Sequence, residues 1–141
     1  METIKHIFHI NAPQPTVFKA ISTVEGFKNW WVVKVNGVVA LEKEIQFTFG
    51  ENAVIKFKAI VINKNETIEY ICVEGHPEWV NTLLKFSLSR NEEKTHVTFE
   101  HSKWKEATDF MANCNFSWGR YLVSLRNYCE TGIGQPFEGI N

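Results

Sequence analysis

The sequence predicts an α+β fold in which a curved, seven-stranded antiparallel sheet is covered on one face by a long C-terminal helix. Three observations lead to this prediction: an alternating apolar segment opens the chain, further alternating segments fill its middle, and an apolar stripe of helical period closes it. The 141 residues, 44% of them hydrophobic, are enough for one domain whose core needs no disulfide. We place this domain at residues 1–132 and a loose C-terminal tail at residues 133–141.

The N-terminal region predicts one strand followed by two short helices. Thr3–Ile10 alternates apolar and polar positions, which is typical of a strand with one apolar face. Two prolines then end the strand and suit the first turn of a helix, which we expect over Thr16–Ser22. Ser22 and Glu25 have the spacing of a capping box, so a second short helix should begin directly after the first.

The middle of the chain contains six further segments with strand-like alternation. Turn-forming residues separate them, and the connections are short enough to join antiparallel neighbours. Because apolar side chains occupy every second position, one face of the sheet is apolar and another element must cover it. The predicted strands are Val33–Asn36, Glu44–Phe49, Ala53–Ile62, Thr67–Glu74, Thr82–Ser89 and Lys94–His101.

The covering element is predicted near the C-terminus, where apolar residues recur at intervals of three and four. This spacing places them on one stripe of a helix, and Gly132 is a natural left-handed stop after it. The stripe consists of Phe110, Cys114, Trp118, Tyr121, Leu125 and Tyr128.

Composition and charge exclude several classes of function. The net charge of −1 leaves no basic surplus for a nucleic acid or an anionic membrane, so we expect neither as a partner. The sequence has no apolar run long enough to span a bilayer, and its first residues lack the pattern of a signal peptide. Three cysteines without a C-x-x-C pair indicate reduced thiols, and together these features predict a cytoplasmic location.

Motifs for metal, phosphate or nucleophile chemistry are missing from the sequence. No two histidines stand at i and i+4, and there is neither a glycine-rich phosphate loop nor a G-x-S-x-G elbow. We therefore expect no metal and no cofactor, and we assign no catalytic residue. The segment His76–Trp79 offers one imidazole and one carboxylate on a turn, and we expect it to form a mobile loop at a cavity entrance.

Aromatic residues make up 13% of the chain, with eleven Phe, five Trp and three Tyr, and they dominate both cores and ligand pockets. Because a curved sheet cannot bring every inward side chain onto one helix, we expect an aromatic-lined pocket. Its size should lie at or below the low end of the roughly 300 to 1,000 Å³ usual for ligand sites. The candidate ligand-binding residues are His6, Phe57, Tyr70, Phe86, Phe99, His101, Trp118 and Tyr121.

Segments at both ends of the chain resemble one known family. The N-terminal segments Ile10–Pro13, Val17–Ile21 and Phe27–Trp31, and the C-terminal segments Trp118–Leu122 and Leu125–Gly132, are similar to the start and the final helix of the activator of heat-shock-protein-90 ATPase homologues. This family belongs to the START and birch-pollen-allergen superfamily. The resemblance spans essentially the whole chain and implies the helix-grip fold, in which a sheet surrounds a long C-terminal helix.

The resemblance leaves three functions open. Superfamily members bind sterols, lipids, phenolics or polyketides between sheet and helix, some are cyclases, and the domain that names the family docks on a chaperone. We expect a protein that is not an enzyme and that binds a lipid-like or aromatic small molecule. The alternatives are a chaperone-binding module and a cyclase- or hydrolase-like enzyme. The chain is most similar to single-domain bacterial members, and either a monomer or a homodimer is compatible with it.

Several candidate residues have two possible roles. In the helix-grip topology the first and last strands are neighbours, so His6 and His101 are either ligand anchors or an acid–base pair, or else each bonds to a nearby carbonyl. Tyr70 and Tyr121 are either ligand-facing hydroxyls or core residues, whereas Trp118 is expected to pack in the core. Four further residues near element ends are compatible with a cavity rim or with ordinary edge packing: Trp30, Trp31, Trp79 and Trp104.

Overall fold

The computed structural model describes residues 1–51 and 53–139 and contains one seven-stranded sheet and three helices. The observed elements match the predicted order and number, with ends that differ by a few residues at most. They are β1 (Glu2–Ile10), α1 (Gln14–Ile21), α2 (Val24–Trp30), β2 (Lys34–Gly37), β3 (Glu44–Thr48), β4 (Val54–Asn63), β5 (Thr67–Glu74), β6 (Leu83–Asn91), β7 (Lys94–Trp104) and α3 (Asp109–Thr131).

The sheet is antiparallel throughout, with the strand order β1-β7-β6-β5-β4-β3-β2. Strands β2 to β7 form the predicted meander, and β1 pairs with β7, so that Ile4 stands opposite His101. Register shifts between β4 and β5 mark bulges, which bend a strand and increase its twist. Together with α3 on the apolar face, this arrangement is the helix-grip fold that the resemblance implies.

The inward positions of the sheet and the stripe of α3 form one aromatic-rich core. Trp118 and Leu125 of α3 are 2% and 0% exposed, and they face buried side chains of the sheet such as Phe47, Phe57 and Phe99. The helix begins at the cap Thr108, whose Oγ1 accepts the Met111 N–H at 3.1 Å. Both the predicted stripe and its position over the sheet are confirmed.

The cap of α2 differs from the sequence prediction. Thr23, not Ser22, caps this helix: its Oγ1 accepts the Gly26 N–H at 2.9 Å. Ser22 is the C-cap of α1, and its hydroxyl donates a hydrogen bond to the Phe18 carbonyl at 2.6 Å. The capping-box interpretation was wrong because the two helices are so close that Ser22 still belongs to the first one.

The segment after α3 is attached to the body of the protein, which differs from the expected loose tail. The Phe137 N–H donates to the Trp31 carbonyl at 2.8 Å, and the Gln135 N–H donates to Ser124 Oγ at 2.6 Å. Residues 140 and 141 of the predicted tail, and residue 52 in a predicted turn, lie outside the described residues. None of the described helices is long and apolar enough to cross a membrane.

Candidate functional site

A cavity of about 210 Å³ lies between α3 and the β3–β4 end of the sheet. Its lining comes from strand β4, from α3, from the β5–β6 connection and from the residues that directly follow α2 and β3. A larger groove of about 740 Å³ lies beside the end of β7, but exposed Lys and Glu side chains line part of it. The smaller cavity carries no charged side chain, and its lining consists of Trp31, Phe49, Ile55, Trp79, Cys114, Ser117, Trp118 and Tyr121.

Three indole rings form one side of this cavity, which we call the indole wall: Trp31, Trp79 and Trp118. The rings of Trp79 and Trp118 are nearly parallel, at 11°, with centroids 6.2 Å apart. The rings of Trp31 and Trp118 are 5.1 Å apart at 33°. These separations fall within the 4.5 to 7 Å range of favourable aromatic pairs. The wall is therefore an apolar surface built from indole rings in mutual contact.

A chain of three hydrogen bonds behind the wall fixes its orientation. The Trp118 Nε1–H donates to His101 Nδ1 at 3.1 Å, so Nδ1 is unprotonated and the ring proton lies on Nε2. This Nε2–H donates to Thr82 Oγ1 at 2.8 Å, and the Thr82 hydroxyl donates to the Trp79 carbonyl at 2.5 Å. His101 thus connects two residues of the indole wall and acts as a positioning residue.

Burial keeps the His101 imidazole uncharged. Its side chain is fully buried, and the loss of solvation lowers its pKa from 6.5 to about 3. A protonated ring would also place an N–H on Nδ1 against the Trp118 N–H, where two donors would face each other. At neutral pH the His101 ring therefore does not act as a charged proton donor.

Besides the indole N–H groups, the lining carries two hydroxyls and a thiol. Cys114 Sγ accepts the Trp79 Nε1–H at 3.4 Å, and burial raises the pKa of this thiol, so it stays protonated. Burial likewise raises the pKa of the Tyr121 hydroxyl. In the described part of the chain, neither this hydroxyl nor that of Ser117 has a hydrogen-bond partner. Both are free to orient a polar group on a bound molecule.

The β5–β6 connection, residues 75–82, borders the cavity, at the place expected for an entrance loop. The His76 ring stacks on Phe110 with centroids 3.8 Å apart, and Thr108 Oγ1 donates to Glu78 Oε1 at 2.5 Å. Both contacts join the loop to the beginning of α3. Together with Trp79, they make this connection one boundary of the cavity, while its mobility stays a prediction.

The structure divides the eight predicted ligand-binding residues into three groups. Trp118 and Tyr121 line the cavity. Phe57 lies directly behind the indole wall, with its ring 6.1 Å from that of Trp79, and His101 lies there too. The remaining four lie outside the lining, and their expected role in binding stays untested: His6, Tyr70, Phe86 and Phe99.

Those four residues have other partners. The Tyr70 hydroxyl donates to the Ile21 carbonyl at 2.6 Å, and Phe86 packs on Phe99 in the core. His6 Nε2 bonds to Asn115 Oδ1 at 2.8 Å. In the described residues no hydrogen bond joins His6 to His101, so the structure gives no support to the acid–base pair considered from the sequence.

Six residues of the lining are not among the predicted ligand-binding residues. For Trp31 and Trp79 the sequence leaves a cavity rim and ordinary edge packing open, and for Phe49, Ile55 and Cys114 it gives only a place in an apolar pattern. Ser117 gave no signal, because it lies on α3 between the stripe positions and its exposure depends on the shape of the facing sheet.

Comparison with known proteins gives a family and several structural relatives. The family model described as "Activator of Hsp90 ATPase homolog 1-like protein" matches residues 11–130. The solved Aha1 dimer of Colwellia psychrerythraea is 34% identical, with a TM-score of 0.87 over 95% of this chain and 100% of that one. No curated protein sequence matches the chain.

Two further solved structures share the fold at low identity. A protein of Mesorhizobium loti is 15% identical, with a TM-score of 0.79 over 89% of this chain and 95% of that one. A protein of Staphylococcus saprophyticus is 18% identical, with a TM-score of 0.78 over 95% and 96%. The family match covers most of the chain, and the Colwellia relative matches 95% of it. The chain therefore belongs to the family of activator of Hsp90 ATPase homolog 1-like proteins.

Proposed function

We propose that the protein binds a small aromatic molecule of one or two rings in the cavity between the sheet and α3. The observation that carries this proposal is the indole wall beside an uncharged space of about 210 Å³. A flat ring placed there would pack against the indole wall. The volume is below the roughly 300 to 1,000 Å³ of drug-sized sites, which favours a compact ligand over a sterol or a long fatty acid.

The cavity also sets the polarity and the affinity expected of the ligand. Ser117 and Tyr121 offer hydroxyls at its edge, so a ligand with one hydroxyl or N–H group suits it better than a hydrocarbon. A two-ring ligand of about eleven non-hydrogen atoms, at roughly 0.6 kcal/mol per atom, gains about 7 kcal/mol. This free energy corresponds to a Kd of about 10 µM.

The experiment titrates 2-naphthol, with cholesterol and palmitate as larger comparison ligands, and follows intrinsic tryptophan fluorescence. Ser117→Phe places a ring in the cavity and should abolish quenching by 2-naphthol. Val123→Phe is the matched control, because it adds the same ring on the exposed side of the same helix. The proposal fails if no compact aromatic ligand binds, or if Ser117→Phe binds 2-naphthol as well as the wild type does.

A second candidate function is association through the exposed face of α3. Phe116 is 74% exposed and Val123 is 45% exposed, and they lie two helical turns apart with Gly119 near the midpoint. If two copies pack with their α3 helices antiparallel about a two-fold axis near Gly119, Phe116 of each lies over Val123 of the other. The dimeric state of the Colwellia relative supports a second copy of this chain as the partner.

Light scattering coupled to size exclusion tests this association. Phe116→Asp should convert a dimer to a monomer, whereas Ile7→Asp should not, because Ile7 is also exposed but lies on the outer face of the sheet. A wild-type monomer at high concentration would remove the dimer from consideration. The family name makes a chaperone the alternative partner, and stimulation of a chaperone ATPase that Phe116→Asp abolishes would then favour it.

A further inference from the structure

Two histidines face each other on the outer surface of the sheet, away from the cavity. His9 on the edge strand β1 and His96 on β7 are direct register partners. Their rings meet at 70° with centroids 4.8 Å apart. His9 is exposed and His96 is partly exposed, so solvent reaches the pair.

The distance between the two imidazoles suits a shared metal ion. His9 Nε2 and His96 Nδ1 are 3.2 Å apart. Two imidazole nitrogens bound to one metal at about 2.0–2.1 Å lie about 2.9 Å apart at a right angle and about 3.4 Å apart at the tetrahedral angle. The observed separation falls between these limits. Chelation requires rotation about the side-chain bonds that aims both lone pairs at one point.

A third donor lies beside the pair on the next strand. The Asn91 side-chain amide, at the end of β6, is 3.1 Å from His9 Nε2. A half-turn of this amide replaces its nitrogen by the carbonyl oxygen, which is a metal ligand. The three side chains come from three adjacent strands, so the hydrogen-bonded sheet holds them together before any ion arrives.

The donor set determines the class of ion. Two neutral imidazoles and an amide oxygen suit borderline dications such as Zn²⁺, Ni²⁺ and Cu²⁺ and discriminate against Mg²⁺ and Ca²⁺. In residues 1–51 and 53–139 no three His, Cys, Asp or Glu side chains come together as metal ligands. The coordination positions of the ion that these three side chains do not fill are therefore open to water or to another ligand. An ion bound there is accessible to solvent and can exchange.

We propose that His9 and His96, assisted by Asn91, form a surface site that chelates a single transition-metal dication. The site is independent of the cavity and of the exposed face of α3. It joins the edge strand to its neighbour, so an ion bound there stabilises the β1–β7 pairing.

Calorimetric titration of the full chain with Ni²⁺ and with Zn²⁺ tests this proposal. We expect one ion per chain, and we expect His9→Ala and His96→Ala each to weaken binding by at least the roughly tenfold that even the loss of an outer-shell partner costs. In free energy, the double variant should lose less than the sum of the two single losses, because removal of either nitrogen already destroys the chelate. His76→Ala, at another exposed histidine, is the control and should leave the affinity unchanged.

Asn91→Asp tests the third donor, and it should strengthen metal binding where the histidine variants weaken it. A carboxylate in place of the amide should tighten Ni²⁺ binding several-fold. If Asn91 only supported His9 through a hydrogen bond, the substitution would not tighten binding. Unchanged affinity in both histidine variants overturns the proposal, as does a loss confined to one of them, which indicates a single-nitrogen contact. A fall in affinity in Asn91→Asp overturns the assignment of the third donor.

Discussion

The buried His101 makes a sharp prediction about pH. Its pKa is 6.5 when exposed and about 3 in the folded protein, because burial disfavours the charged ring. Above pH 6.5 the ring is neutral in both states and contributes no pH dependence. Between pH 6.5 and about 3 the unfolded chain binds a proton that the folded chain does not, so stability falls as the pH is lowered. Over this interval the loss in the free energy of unfolding amounts to about 5 kcal/mol, and it levels off below the pKa of the folded state.

Urea unfolding of the wild type and of His101→Asn between pH 7 and pH 4 measures this effect. Asparagine can still accept from the Trp118 N–H but does not titrate, so it lowers stability at every pH and removes the His101 contribution to the slope. The difference in the free energy of unfolding between the two proteins should change by about 1.4 kcal/mol per pH unit below pH 6, because the wild type loses more stability than the variant. Parallel curves would refute the neutral, buried state assigned to His101.

Three further variants test the packing around the site. Gly26→Ala should destabilise the fold by about 1–3 kcal/mol in urea unfolding, because a Cβ there would overlap the backbone carbonyl of Ala20, closer than van der Waals contact allows; a neutral effect would contradict the close approach of α1 and α2. Tyr70→Phe should cost about 1–3 kcal/mol by leaving the Ile21 carbonyl unpaired, yet it should leave 2-naphthol affinity unchanged. A large loss of affinity in this variant would place Tyr70 at the ligand after all. Ser124→Ala should increase amide exchange at Gln135, because its hydroxyl holds that N–H; unchanged protection would show that the tail is attached by other contacts.

Most of the fold could be predicted because its signals are local. Alternation at every second position identifies the strands, and the stripe that includes Trp118 identifies α3, since each pattern follows from the geometry of one element. The cap of α2 could not be predicted as reliably. Ser22 and Thr23 are both good caps, and only the Ser22 bond to α1 shows that Thr23 must serve α2.

The candidate site was harder to predict because it depends on contacts between distant segments. The prediction that Tyr70, Phe86 and Phe99 point to the inner face of the sheet is correct. Alternation along a strand does not say, however, which inward residues face a gap and which face another side chain. Trp79 lies in a connection without any periodic pattern. Its role becomes visible only when the hydrogen bonds through His101 join that connection to α3.

The most direct test of the central claim is a titration of ¹⁵N-labelled protein with 2-naphthol, observed at the five tryptophan indole N–H resonances. Binding in the cavity should shift the resonances of Trp31, Trp79 and Trp118 strongly, and those of Trp30 and Trp104 much less, because the latter two do not line it. Saturable shifts with this pattern are the predicted result. Shifts led by Trp30 and Trp104, or none at the indole wall, would contradict the account.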